Sequence, residues 1–164
     1  MRPQWFVAAL GALPLLSCGV SKPDEVGERA PYDGTEAEWY ASLSQEPAAC
    51  DADLRVLGGL VATFENGRDN EEGLALQARQ VAEKCSTARK MLLSLGVPST
   101  WPTKAQADAN AALDLCADAY LRKARLGHAI VDRLQAEQQL ASLLTGLEKD
   151  LEVHEKCISA INSL

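Results

Sequence analysis

Hydrophobic residues recur at helical spacing through most of the chain. Apolar positions at i, i+3, i+4 and i+7 indicate amphipathic helices, and here they predict one helix over residues 47–66 and a second over 70–95. Pro47 suits the first turn of the first helix, and Gly96 followed by Pro98 ends the second. The two apolar stripes comprise Cys50, Leu54, Leu57, Val61 and Phe64, then Leu74, Ala78, Val81, Cys85, Ala88, Leu92 and Leu95.

The last third of the chain, residues 104–164, is helical in pattern and contains no proline. Its apolar stripe breaks at Glu137 and Gln138, where the spacing calls for hydrophobic residues. One unbroken helix would be roughly 90 Å long at 1.5 Å per residue. We therefore predict a reversal between residues 127 and 139, near 136, and an all-α, up-down-up-down four-helix bundle.

The N-terminus has the pattern of an export signal. Met1 and Arg2 are followed by an apolar run that ends at Leu16, too short for a membrane span of about 20 residues and typical of a secretory signal peptide. The junction Leu15-Leu16-Ser17-Cys18 resembles the lipobox of bacterial lipoproteins. We predict that residues 1–17 are a signal peptide.

That resemblance implies cleavage before Cys18, a diacylglyceryl group on its sulfur and an acyl chain on its amine. The lipid would anchor the chain to a membrane. Gly19, in place of the Asp that retains such proteins in the inner membrane, implies the outer membrane, facing the periplasm or the cell surface, if the cell has two membranes. We predict that residues 18–46 are the lipidated cysteine and a flexible tether, and that 47–164 are the domain. Within the tether, Thr35 and Glu38 have a capping-box pattern, which predicts a short helical turn that carries Trp39 and Tyr40.

Four further cysteines lie on the apolar stripes, and an even number in an exported protein predicts disulfides. In an antiparallel hairpin, residues equally distant from the turn share one height, so Cys50, Cys85 and Cys116 fall in one layer. Cys157 joins them if the chain reverses near residue 136. Bridged Cα atoms lie within about 7 Å, which excludes diagonal pairs. Two connectivities stay open: Cys85–Cys116 with Cys50–Cys157, slightly favoured, or Cys50–Cys85 with Cys116–Cys157.

Composition argues against several classes of function. The chain has 16 basic and 23 acidic residues, and loss of Arg2 with the signal takes the net charge from −7 to −8. Such a protein has no electrostatic reason to bind nucleic acid or anionic lipid. The usual catalytic, phosphate-binding and haem-attachment motifs are missing. We expect no enzyme activity, no metal, no cofactor, and no deep polar pocket in which His128 or His154 meets carboxylates or a nucleophile.

Two further features allow a structural and a functional interpretation. Trp39, Tyr40 and Trp101 belong to one end of the predicted bundle, where they cap the core, the favoured interpretation, or form a patch for a partner. Gly58-Gly59, inside the first helix, indicates tight packing against a neighbouring helix, again favoured, or a hinge.

The sequence thus predicts a lipid-anchored, non-enzymatic binding or scaffold module of the cell envelope, with a partner that the sequence does not name. The alternative is a carrier of haem or another apolar ligand in the bundle core.

Overall fold

The computed structural model describes residues 29–66, 70–136 and 140–164. The predicted signal peptide and Cys18 lie outside these residues. Within these described residues, four helices follow one another: α1 Glu36–Glu65, α2 Glu71–Ser94, α3 Thr103–Gln135 and α4 Ala141–Asn162. The predicted all-α four-helix bundle is confirmed, and so is the reversal near residue 136. Each helix packs against the next along the chain, with α2 and α3 as the central pair.

Helix α1 begins at the predicted capping box, not at residue 47. Thr35 caps it and forms a capping box with Glu38, and the helix continues through Pro47 to Glu65. The predicted start at residue 47 is wrong, and the tether predicted to extend to residue 46 loses residues 36–46 to the helix. The reason is that Pro47 is buried inside an apolar stripe that already starts at Trp39. Packing of that stripe outweighs the loss of one backbone hydrogen bond at the proline.

The two disulfides join helices that are consecutive in the chain. Cys50 pairs with Cys85 and Cys116 with Cys157, with Cα–Cα distances of 4.9 and 4.8 Å. The slightly favoured connectivity, which tied the first helix to the last, is therefore wrong, and the second is confirmed. The first helix is not bridged to the last because, within the described residues, α1 and α4 do not pack closely against each other.

Glycine serves tight packing in α3 rather than in α1. A Cβ atom on Gly58 or Gly59 would meet nothing within 4 Å, so the predicted close packing at this pair is wrong. At Gly127 a Cβ atom would lie 2.5 Å from the carbonyl oxygen of Ala78. Gly127 thus lets α3 approach the backbone of α2.

The segment before α1 is tied to the loop after α2. The backbone N–H of Tyr32 donates to the carbonyl of Val97 over 3.1 Å, and the Nε1 of Trp39 donates to the carbonyl of Gly96 over 2.7 Å.

Within the three described ranges, no helix is long and apolar enough to cross a membrane.

Candidate functional site

A groove runs between α1 and α4. It encloses a volume of about 300 Å³, and its floor consists of Leu92, Tyr120 and the Cys116–Cys157 disulfide. The remaining lining residues come from the two helices that form its walls: Tyr40, Leu43, Ser44, Pro47, Ala48 and Asp51 from α1, and Ile158 and Ile161 from α4. The groove is mostly apolar, and Ile158 is 46% exposed.

Four polar residues lie together beside the groove: Asp51, Tyr120, Lys123 and His154. We call them the Lys123 cluster. They come from three helices, α1, α3 and α4. The Nζ of Lys123 donates to Oδ1 of Asp51 over 2.5 Å, and the hydroxyl of Tyr120 donates to Oδ2 over 3.1 Å. Asp51 and Tyr120 line the groove, so the cluster meets it through these two side chains.

Lys123 carries the most deeply buried charge in this cluster. Its side chain is 7% exposed, against 32% for Asp51. Burial lowers the pKa of Lys123, and the hydrogen bond and charge of Asp51 act in the opposite direction. The ammonium also lies 4.3 Å from the centroid of the Tyr120 ring, a cation–π contact.

His154 joins the cluster from α4. Its Nδ1 lies 3.1 Å from the Nζ of Lys123, and its Nε2 lies 4.0 Å from Oδ2 of Asp51. An ammonium has donors only, so this Nδ1 is assigned as the acceptor and Nε2 as the protonated nitrogen. Burial and the nearby charge of Lys123 lower the pKa of His154, and the charge of Asp51 acts in the opposite direction.

Tyr120 is held in its protonated form. Burial raises the pKa of the Tyr120 phenol far above 10, and the charge of Asp51 and the hydrogen bond to it raise it further. Its ring also meets that of His154 edge-on, with 6.1 Å between the centroids.

The sequence pattern did not predict the Lys123 cluster. The expectation that neither histidine meets a carboxylate in a polar pocket is wrong for His154, whereas His128 is exposed. A signal existed: Lys123 lies on the apolar stripe of α3, three residues after Tyr120 and four before Gly127, where a charge needs a partner. Asp51 carried no such signal, because it only follows a core cysteine.

The charged and polar groups of the cluster are engaged with one another. Lys123 and His154 are engaged with each other, and both nitrogens of the imidazole face cluster members. Among the described residues, no group of three or more His, Cys, Asp or Glu side chains is placed to hold a metal ion.

The three aromatic residues predicted as a cap or a patch do lie together. The ring centroid of Trp39 lies 5.1 Å from that of Tyr40 and 5.1 Å from that of Trp101. Trp39 is fully buried, whereas Tyr40 and Trp101 are half-buried. Trp39 therefore belongs to the core, and Tyr40 extends from this trio into the groove.

No known protein family matches this chain, and neither a curated protein nor a solved structure shows significant similarity to it. The site must therefore be interpreted from its own geometry.

Proposed function

We propose that this chain is a lipid-anchored protein of the cell envelope, held to the membrane through Cys18, and that it acts as a non-enzymatic binding module. The groove between α1 and α4 is its binding site. The observation that carries this proposal is that two helices of the bundle leave an apolar groove open between them, with Ile158 exposed on its wall. Open apolar surface of this kind is typical of interaction sites.

The partner that fits best is an apolar segment of another envelope protein that carries a basic side chain. The groove walls are mostly apolar, and the one carboxylate among their lining residues, that of Asp51, already accepts hydrogen bonds from Lys123 and Tyr120.

The charge of the helices favours the same partner. Helices α1 and α4, which form the groove walls, contain ten acidic and three basic residues between them. Helices α2 and α3 contain seven acidic and nine basic residues. A basic segment is therefore attracted to the groove side of the bundle and disfavoured on the other side.

A photo-crosslinking amino acid at Ile158, in intact cells, tests the groove as a binding site. We expect one discrete adduct, whose crosslinked peptide combines apolar residues with Lys or Arg. Leu76 is 55% exposed and lies on α2, outside the groove, so the same crosslinker placed there is the matched control and should give no such adduct. Equal labelling from both positions, or none from Ile158, contradicts the proposal.

Anchoring at Cys18 has its own test. Cys18→Ser should leave an uncleaved precursor or a soluble chain, because no acyl group can then be attached. Mass spectrometry of the wild-type N-terminus should find Cys18 with its acyl mass. A mature N-terminus at another residue without lipid would refute the anchor and leave the groove unaffected.

The alternative function, a carrier of an apolar small molecule, draws on the groove volume of about 300 Å³, which is at the lower limit for small-molecule sites. Haem is the less suitable cargo, because both ring nitrogens of His154 face Lys123 and Asp51. An absorption spectrum and mass spectrometry of solvent extracts of purified protein distinguish a carrier from a partner-binding module.

A further inference from the structure

The hydrogen bond between Lys123 and His154 depends on an unprotonated imidazole. The two nitrogens are 3.1 Å apart, and the ammonium has no lone pair with which to accept. Protonation of Nδ1 would remove the acceptor and place two cations in contact. Because the Lys123 side chain is only 7% exposed, little water is present to screen their repulsion.

Several charged and polar groups surround His154 and determine how its protonation affects the cluster. From α1, Asp51 lies 4.0 Å from Nε2; from α3, Lys123 and the edge-on ring of Tyr120 face it. On α4 itself, the charge of Glu155 favours protonation. Asp51 is already engaged by Lys123 and Tyr120, so it compensates a second cation only by weakening those bonds.

We infer that protonation of His154 regulates the groove, because it breaks the polar link by which α4 is held to Lys123 and Asp51 and so loosens the α4 wall. This inference rests on the proposed function in taking the groove as the binding site. His154 lies three residues before Cys157 and four before Ile158, which both line the groove. The disulfide to Cys116 keeps α4 attached, so the change is a local loosening rather than detachment.

The lowered pKa of His154 means that the link to Lys123 breaks at acid pH and not at neutral pH. Burial and Lys123 hold the pKa of His154 below its ordinary value of 6.5. The intact link therefore persists at neutral pH, and the groove wall loosens only as the pH falls below that value. A module exposed to the outside of the cell would then change its affinity for a partner when the surroundings become acidic.

The two histidines of the chain allow a direct titration. The full-length protein gives two imidazole resonances in NMR spectra, which His154→Gln and His128→Gln assign. A Gln side chain retains an acceptor for Lys123 and cannot be protonated in this range. We expect the His154 resonance to titrate below pH 6.5; a midpoint at or above that value overturns the inference.

Hydrogen exchange in the absence of any partner measures the loosening itself. In wild-type protein, amide protection factors in residues 153–161 should fall by about tenfold between about pH 7.5 and pH 5. His154→Gln should abolish this change and His128→Gln should retain it. Protection that is constant in the wild type, or that falls equally in His154→Gln, overturns the inference.

The crosslinking experiment at Ile158 separates the two proposals. An adduct whose yield is the same at both pH values in wild-type and His154→Gln protein refutes regulation and leaves the binding groove standing. Loss of protection at acid pH without any adduct refutes the binding site and leaves the protonation-dependent link standing.

Discussion

At the scale of single residues, the least expected feature is a lysine on the core-facing stripe of α3. Lys123 is tolerated there because Asp51, His154 and the Tyr120 ring surround its ammonium. Removing one partner of a buried ion pair costs more than the pair contributes, since the other charge remains buried alone. The two partners differ in exposure, so the two deletions should differ in cost.

Asp51→Ala should destabilise the fold more than Lys123→Met. The first variant leaves an ammonium whose side chain is 7% exposed, and the second leaves a carboxylate that is 32% exposed and still bonded to Tyr120. We expect losses of roughly 3 kcal/mol for Asp51→Ala and about 1 kcal/mol for Lys123→Met. Urea unfolding at neutral pH with intact disulfides measures both, and an equal or reversed order contradicts this account of the cluster.

Tyr120 should make stability fall at alkaline pH. Its folded pKa lies far above 10, so the native state retains a proton that the unfolded chain loses. The stabilisation is complete below about pH 10 and declines above it by about 1.4 kcal/mol per pH unit. Tyr120→Phe should reduce this slope, and Tyr40→Phe should retain it. Identical slopes above pH 10 in the wild type and Tyr120→Phe would show that the phenol is not held protonated.

At the scale of helices, α3 approaches the backbone of α2 closely at a glycine, the residue without a side chain. Gly127 of α3 faces the backbone of α2 at Ala78 and Ala82, and this contact brings the central pair together. Gly58 of α1 faces open space. The same substitution should therefore have opposite effects at the two positions.

Gly127→Ala should destabilise the bundle and Gly58→Ala should stabilise it. At Gly127 the new methyl group would lie 2.5 Å from a carbonyl oxygen, and such overpacking costs typically about 1–3 kcal/mol. At Gly58 alanine gains up to about 1 kcal/mol in helix propensity. Thermal unfolding of both variants at one pH gives the comparison, and a stabilising Gly127→Ala would exclude the close approach of α3 to α2.

At the scale of the whole molecule, the disulfides divide the bundle into two covalently linked pairs, α1 with α2 and α3 with α4. Noncovalent contacts hold the pairs together: the packing of α2 against α3 and the hydrogen bonds that Asp51 accepts from Tyr120 and Lys123. The sequence separations of 35 and 41 residues are similar, so the two bridges should restrict the unfolded chain to a similar extent.

Replacing either disulfide by two serines should cost about 2–4 kcal/mol, but only one replacement should affect the groove. Cys116 and Cys157 line its floor, whereas Cys50 and Cys85 do not. We expect Cys116→Ser with Cys157→Ser to weaken crosslinking from Ile158 several-fold, and Cys50→Ser with Cys85→Ser to leave it unchanged under conditions where both remain folded. Non-reducing peptide mapping of the wild type first checks the connectivity, and a peptide joining Cys50 to Cys157 would invalidate the fold described above.

The sequence by itself determined the helical class, the layer of four cysteines and the reversal near residue 136. Those properties depend on local periodicity and on distances along the chain, which one sequence contains. The start of α1 was determined in part: Thr35 and Glu38 have the capping-box pattern at which the helix begins. The continuation through Pro47 was not, because a proline inside a helix and one at its first turn have the same local signature. Only the packed stripe from Trp39 onward distinguishes the two.

The pairing of the cysteines and the Lys123 cluster were decided by tertiary structure alone. One layer of four cysteines is compatible with a closed ring of helices or an open one, and the difference lies in how far α4 stays from α1. The cluster joins Asp51, Lys123 and His154 from three helices, and separations along the chain do not determine the rotation of each helix about its axis. That rotation follows from the packing of all apolar faces together, and it places a lysine charge beside an aspartate and a histidine under the groove.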